Sequence, residues 1–63
     1  MRKLERTAFY RIFNHKWAVV NEKIKTVEGY IEIVNGRYEV KDIYEDTLAV
    51  FDSLQEAKDY ILE

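Results

Sequence analysis

Two groups of side chains in this sequence have the chemistry of binding sites. The first combines carboxylates and tyrosines in the middle of the chain: Glu28, Tyr30, Glu32, Glu39, Asp42 and Tyr44. Tyrosine is enriched at protein interfaces because its ring can be buried while its hydroxyl keeps a polar partner. A tyrosine flanked by carboxylates therefore predicts contact with a basic surface of another protein. In the most specific form of this hypothesis, the acidic surface imitates DNA and occupies a nucleic-acid-binding groove.

The second group mixes cations with aromatic rings in the first third of the chain. Its polar members are Arg2, Lys3, Arg6, Arg11, His15 and Lys16, interleaved with Phe9, Tyr10, Phe13 and Trp17. Cations neutralise phosphates and aromatic rings stack on bases, so this group predicts nucleic-acid binding as the alternative function. The competing interpretation places Phe9, Phe13 and Trp17 in the core, and it is favoured because large apolar residues are usually buried.

Charge is distributed unevenly along the 63 residues, whose formal net charge is −2. Residues 1–23 carry six basic and two acidic side chains, whereas residues 24–63 carry four basic and ten acidic ones. A small protein with this polarity can present either end to a charged partner. The simpler interpretation is that both ends are ordinary solvated surface.

Catalysis and metal binding are not predicted. The one histidine, His15, lies in an expected turn, and the one serine, Ser53, is expected to cap a helix, so no nucleophile has a base beside it. The chain has no cysteine for a thiolate site or a disulfide. The carboxylates around one predicted turn lack the spacing of a calcium-binding loop: Asp42, Glu45, Asp46 and Asp52. We expect a protein that is not an enzyme and holds no metal or cofactor.

The elements that position these residues are clearest around Asn35-Gly36. Alternating apolar residues flank this dipeptide, which is the strongest short-range signal for a β-hairpin because a type I′ turn needs positive φ at both central positions. Centring the turn there predicts four cross-strand pairs: Val34 with Arg37, Ile33 with Tyr38, Glu32 with Glu39 and Ile31 with Val40. The facing glutamates form an unfavourable pair of like charges, which nearby Arg37 and Lys41 can relieve.

The rest of the chain predicts further antiparallel strands. Residues 8–13 are rich in aromatic and β-branched types and are interpreted as a strand, although the spacing of Leu4, Ala8 and Ile12 leaves a helix over residues 2–13 open. The remaining strands are expected at residues 17–20, 24–33 and 48–51.

Gly29 interrupts the alternation of the strand at residues 24–33. A glycine inside a strand predicts a bulge or the close approach of another backbone segment. Around it, Glu28, Tyr30 and Glu32 are expected to share the solvent-facing side of the strand.

The chain ends in a predicted short helix over about residues 54–62. Ser53 is expected to be its N-cap, with Glu56 completing a capping box. A stripe of apolar residues is expected to pack the helix on one face of the sheet: Leu54, Ala57 and Ile61, with Tyr60 as a further candidate. The predicted fold class is α+β, an antiparallel β-meander of four to five strands with one C-terminal helix, in a single domain of residues 1–63.

Residues 29–61 resemble a pattern found in small proteins of bacteriophages and mobile elements. The residues that carry it are Gly29-Tyr-Ile-Glu, Asn35-Gly36, Tyr38-Glu-Val and Phe51-Asp-Ser-Leu-Gln-Glu-Ala-Lys-Asp-Tyr-Ile. The pattern is also similar to the N-terminal arm-binding domains of tyrosine recombinases, where three strands precede a helix that begins Phe-x-Thr/Ser-x-x-Glu-Ala. The resemblance implies a phage-type accessory protein that binds and modulates a host macromolecule. Those recombinase domains bind DNA with a basic sheet, whereas residues 30–46 here are acidic.

These observations together predict a soluble, cytoplasmic, non-catalytic module that binds or inhibits a protein through an acidic sheet face carrying tyrosines. For a phage-encoded protein, the compartment would be the host cytoplasm. No apolar run approaches the roughly 20 residues of a membrane span. The alternative is a nucleic-acid-binding module that uses the basic first third. Homodimerisation through an exposed edge strand is also open, because the chain has no proline to protect an edge.

Overall fold

The computed structural model of the chain describes residues 7–63, which form one five-stranded sheet and one helix. In chain order the elements are β1 (Thr7–Phe13), β2 (Lys16–Asn21), β3 (Thr26–Val34), β4 (Arg37–Lys41), β5 (Thr47–Phe51) and α1 (Leu54–Leu62). Each strand pairs antiparallel with the next one, so the order of the strands in the sheet equals their order in the sequence. The predicted α+β meander is confirmed, with five strands.

The β3–β4 hairpin follows from its turn. Asn35 and Gly36 have φ values of 53° and 77°, the positive angles that a type I′ turn requires. All four cross-strand pairs predicted from the sequence are present. Because side chains alternate along a strand, this register places Ile31 and Val40 in the core and leaves the two facing glutamates on the opposite side of the sheet.

The helix begins where the sequence predicts. The Ser53 hydroxyl accepts a hydrogen bond from the backbone N–H of Glu56 at 3.2 Å, which satisfies one of the free donors of the first turn. Near the other end of α1, the Tyr60 ring lies 5.4 Å from the ring of Phe51, the last residue of β5. The helix is short, so its stability depends on these contacts with the sheet.

The core lies between α1 and the middle strands. Ala57 is fully buried against Val19, Ile31 and Val40, and its small side chain allows the helix to approach the sheet closely. Partly buried apolar residues pack around this cluster: Phe9, Trp17, Tyr38, Phe51, Leu54 and Ile61. Within residues 7–63, no helix is long and apolar enough to cross a membrane.

Gly29 marks both a bulge and a close approach, as its position in the sequence predicts. Val19 pairs with Gly29, but the next residue of β2 pairs with Val27, so Glu28 is an extra residue in β3. A Cβ atom built on Gly29 would overlap the carbonyl oxygen of Lys41 in β4. Only glycine therefore fits at this position without moving the neighbouring strand.

The first strands differ from the sequence-based expectations in two details. Residues 7–13 form a strand, so the helical alternative is wrong for this part, while residues 2–6 lie outside the described residues. β3 begins at Thr26 and not at residue 24, because Lys25 has a φ of 59°, which an extended strand does not accommodate.

Phe13 is the one predicted core aromatic that the structure places outside the core. Phe9 and Trp17 pack against the buried cluster, but 59% of Phe13 is exposed. A register shift after Arg11 pairs Phe13 with Lys16 at the tip of the β1–β2 hairpin. The expectation was wrong because an irregularity in the strand cannot be recognised from residue types alone.

Replacing Gly29 with alanine is expected to lower the free energy of unfolding by about 2 kcal/mol, because β3 and β4 must separate locally to admit the methyl group. Gly36→Ala is the matched control. Its Cβ would meet no atom within 4 Å, so only the strain of a positive φ remains, about 1 kcal/mol. Urea unfolding followed by Trp17 fluorescence measures both variants. A smaller loss at Gly29 than at Gly36 would contradict the steric explanation.

Candidate functional site

The sheet face opposite α1, here called the open face, brings together three of the predicted binding residues. Tyr30, Glu32 and Glu39 lie on it, and the strand register places Lys16 opposite Glu32 and Lys41 opposite Tyr30. The sequence predicts that these side chains face the solvent, but in the structure they are partly buried. The exposed fraction is 21% for Glu32 and 22% for Glu39.

Glu32 is the centre of the ionic contacts on the open face. Lys41 donates a hydrogen bond from Nζ to Glu32 Oε1 at 2.7 Å, and His15 Nε2 lies 3.7 Å from Oε2 of the same carboxylate. The hydrogen bond from Lys41 lowers the pKa of Glu32, against the opposing effect of partial burial, and the same bond raises the pKa of Lys41. Lys41 Nζ also lies 3.9 Å from Glu39 Oε1, which accepts a hydrogen bond from the Thr47 hydroxyl at 3.0 Å.

Lys16 was predicted to contact phosphate, but in the structure its ammonium group contacts two side chains of the same protein. Its Nζ lies 4.6 Å from the centre of the Tyr30 ring and 3.0 Å from Glu45 Oε1 in the β4–β5 loop. A cation over an aromatic ring is attracted by the negative potential of the ring face. Lys16 and Lys41 thus place two positive charges among three carboxylates, those of Glu32, Glu39 and Glu45. The predicted acidic sheet face is largely neutralised by lysines of the protein itself.

Glu28 lies apart from the open face because of the bulge in β3. Its carboxylate accepts a hydrogen bond from Asn21 Nδ2 at 3.3 Å, and it borders a cleft of about 390 Å³ between the sheet and the C-terminal end of α1. Residues that border this cleft include Val19, Glu28, Val40, Leu48, Tyr60, Ile61 and Glu63. The prediction that Glu28 shares a surface with Tyr30 was therefore wrong.

The other two predicted residues of the first group lie in the β4–β5 loop. Asp42 Oδ1 accepts hydrogen bonds from the backbone N–H groups of Tyr44 at 2.9 Å and of Asp46 at 3.0 Å. The backbone of Asp46 accepts a further bond from Asp42, and Glu45 closes the turn with a φ of 67°. Asp42 thus shapes the loop, while the Tyr44 side chain remains 79% exposed.

Tyr44 belongs to a larger surface that sequence reasoning did not identify. Exposed apolar side chains continue from the loop along the edge formed by β5, with Leu48 on the helix side of the sheet and Val50 on the open face, and acidic side chains lie among them. We call this the β5 surface and define it as Ile43, Tyr44, Glu45, Asp46, Leu48 and Val50. The signal that could have shown it was the position of β5 as the last strand expected from the sequence, which is the outer strand of the sheet in the part of the chain that the structure describes.

Part of the second predicted group lies at the tip of the β1–β2 hairpin. The exposed Phe13 ring stacks on His15, with centroids 6.1 Å apart and an interplanar angle of 19°. The Arg11 guanidinium lies 5.9 Å from the Trp17 ring centre and donates to the backbone carbonyl of Asn14 at 3.1 Å. The remaining predicted phosphate contacts lie outside the described residues: Arg2, Lys3 and Arg6.

No protein-family model matches the chain, and no curated protein or solved structure shows a significant match to it. Among the residues that the structure describes, no three histidine, cysteine, aspartate or glutamate side chains converge as they would around a metal ion.

The pair of Glu32 and Lys41 is expected to show a pH-dependent coupling in stability. Because the folded-state pKa of Glu32 is lowered, its ionised form stabilises the folded protein above its unfolded pKa, about 4.3. The folded-state pKa of Lys41 is raised, so the pH dependence runs the other way. Its contribution to stability is present below about pH 10 and is lost at higher pH. Between these limits we expect a coupling of about 1 kcal/mol, since both side chains are mostly shielded from solvent.

A double-mutant cycle with Glu32→Gln and Lys41→Met measures this coupling by urea unfolding at several pH values. The coupling should disappear as the pH falls through the folded-state pKa of Glu32. A coupling that is equally large in strong acid would show that packing of the two side chains, and not their charge, is responsible.

Proposed function

We propose that the protein is a non-catalytic module that binds another protein through the β5 surface. The observation that carries the proposal is the exposure of four large apolar side chains along one loop and one strand: Ile43 50%, Tyr44 79%, Leu48 56% and Val50 44%. Isolated exposed apolar residues are common, but a series with a tyrosine at its end and carboxylates among it has the composition of an interface.

The rigidity of the β4–β5 loop supports this proposal. Asp42 fixes the loop through two hydrogen bonds from backbone N–H groups, and Lys16 holds Glu45, the residue next to Tyr44. A tyrosine presented by a fixed backbone loses little conformational entropy when it is buried by a partner. The contacts on the open face therefore act indirectly at the proposed interface by positioning the loop.

The neutralised open face changes where the partner is expected to bind. Tyr30, Glu32 and Glu39 are occupied by contacts with lysines, so a basic partner would have to displace these contacts. Two carboxylates at the ends of β5 are more accessible. Asp46 is exposed, and 86% of the Asp52 side chain is exposed although Arg37 lies 3.8 Å from it. We therefore propose that a basic partner contacts the carboxylates at the β5 end of the sheet and not those of the open face.

The non-catalytic part of the proposal rests on the roles of the reactive side chains. His15 stacks on Phe13 at a hairpin tip, and the hydroxyl of Ser53 is used to cap α1. The proposed biological setting is that of a phage-type accessory protein that binds or inhibits a host protein in the host cytoplasm. This setting rests on the resemblance of residues 29–61 to such proteins.

Tyr44→Ala is expected to weaken the complex with the partner by about 2 kcal/mol, roughly 30-fold in Kd, because an exposed aromatic anchor is removed. The partner is isolated from lysate of the source cells with tagged wild-type protein, and its affinity is then measured by calorimetry. Phe13→Ala is the matched control, since Phe13 is an exposed aromatic residue at the tip of another hairpin.

The proposal predicts that the control binds like the wild type. A partner that is lost with Phe13→Ala and retained with Tyr44→Ala would contradict it and would assign binding to the β1–β2 hairpin. A protein that captures no stoichiometric partner would also contradict it.

A second candidate function, nucleic-acid binding, is favoured by the exposed stack of Phe13 and His15 with Arg11 nearby. An aromatic ring at a hairpin tip can stack on an unpaired base, and a guanidinium can contact the adjacent phosphate. Two observations weigh against it. Lys16 is paired with Glu45, and residues 24–63 carry an excess of acidic side chains.

If this second function operates, Phe13→Ala is expected to weaken binding of a fluorescent single-stranded oligonucleotide by about 1–3 kcal/mol. Arg11→Glu should also weaken it and reduce the salt dependence of binding. Fluorescence anisotropy at several salt concentrations measures both effects, with Tyr44→Ala as the control. The absence of binding at low salt would exclude the second function for this oligonucleotide class.

A further inference from the structure

The outer edge of β5 is open within residues 7–63. β5 pairs with β4 on one side and is the last strand of the sheet. Edge strands are usually protected by lysine or proline, and none of the five residues Thr47–Phe51 is charged or is proline. Residues 49–51 keep a regular register with β4, so their backbone is suitably extended for pairing. An extended segment could continue the sheet at this edge.

Exposed side chains on both sides of the sheet accompany this edge. Leu48 is the extra residue of β5 at a register shift with β4, and it borders the cleft on the helix side. Val50 pairs with Glu39 and therefore belongs to the open face. Alternate side chains of an added strand point to opposite faces, so such a strand would bury both exposed residues at once.

The cleft beside Leu48 has the chemistry that suits a lysine or arginine side chain. Its wall is apolar, formed by Val40, Leu48 and Ile61, while Glu28 and Glu63 supply carboxylates. A long basic side chain can bury its methylene groups on such a wall and keep its charged end near the carboxylates. The last turn of α1 contains no basic residue, so the negative end of its dipole also favours a cation here.

Lys41 also borders the cleft but does not neutralise it. Its ammonium group is held on the opposite side of the sheet by the hydrogen bond to Glu32. The positive charge of Lys41 is therefore used on the open face.

The charges at the two ends of β5 favour one kind of segment as the strand that pairs with its edge. Asp46 precedes the strand and Asp52 follows it. In an antiparallel pair of two β5 strands centred on Ala49, Asp46 of one copy would face Asp52 of the other at both ends. Like charges facing each other destabilise a sheet. Arg37 lies 3.8 Å from Asp52, but both side chains are largely exposed, so this ion pair offsets little of the repulsion. A basic segment of a different protein fits better than a second copy of this chain.

We infer that β5 binds an extended basic segment of a partner protein by β-strand addition, with one lysine or arginine side chain of that segment in the cleft beside Leu48. This inference rests on the proposed function and specifies the conformation and charge of the partner at the same surface.

The test uses synthetic peptides about seven residues long, the length of an ordinary strand. One peptide alternates valine and lysine, and a second alternates valine and glutamate. A third is the lysine peptide with N-methyl groups on all of its central backbone nitrogens, so that neither edge of the peptide can donate backbone hydrogen bonds. Binding to the full chain is followed by NMR titration and by hydrogen exchange of the β5 amides. We expect the lysine peptide to shift and protect the amides of residues 47–51, and the N-methylated peptide to bind about tenfold more weakly because backbone hydrogen bonds are lost.

Two variants with equal charge separate the β5 edge from the other edge of the sheet. Val50→Lys is expected to weaken binding of the lysine peptide about tenfold, whereas Ile12→Lys in β1 should leave it within a factor of two. Val50 and Ile12 have the same exposure, 44%, so neither substitution removes a core residue. Glu28→Gln tests the cleft and is expected to weaken the lysine peptide but not the glutamate peptide.

Three results would overturn the inference: equal binding of the N-methylated peptide, shifts centred on β1, or no binding of the lysine peptide at low salt. A dimer of the free protein that becomes monomeric in Val50→Lys would overturn it as well, since a second copy would then occupy the edge. The inference can also fail while the proposed function stands. If the isolated partner depends on Tyr44 but binds Val50→Lys like the wild type, the β5 surface binds a protein without strand addition.

Discussion

The length of α1 is the constraint on which the rest of this structure depends. A helix of nine residues covers only part of a five-stranded sheet, and the core beneath it is correspondingly small: Val19, Ile31, Val40 and Ala57. The opposite face and both terminal strands must be stabilised without a second covering layer. On the open face, lysine and glutamate side chains lie across the strands and shield one another from solvent. β5 contacts α1 through the ring of Phe51, which lies against Tyr60, but the side chains of Leu48 and Val50 remain exposed.

The ionic contacts of the open face connect parts of the chain that are distant in sequence. Lys16 in β2 reaches Glu45 in the β4–β5 loop, across the two strands between them. An ion pair at a surface contributes little to stability on its own, but this one fixes the loop that presents Tyr44. The electrostatic arrangement therefore has a geometric effect, which is to hold one loop in a defined position relative to the sheet.

Local chemistry explains which features could be predicted from the sequence. Asn35-Gly36 and Ser53 determine backbone geometry within a few residues, so the hairpin register and the start of α1 follow directly from residue types. Glu28 and Phe13 were misplaced because register shifts near them break the alternation on which their assignment depended. The partners of Lys16 and the exposure of Leu48 depend on the assembled sheet, and no local pattern encodes them.

The order of the strands has a consequence for the way the chain acquires its structure. Every strand pairs with the one before it, so each pairing closes a short loop and costs little chain entropy. A ribosome releases the strands in the same order, which allows the sheet to grow by one strand at a time during synthesis. The last strand is followed within two residues by the helix, so the centre of the sheet is covered soon after the sheet is complete. The meander is thus suited to rapid folding with few opportunities for strands to pair in the wrong order.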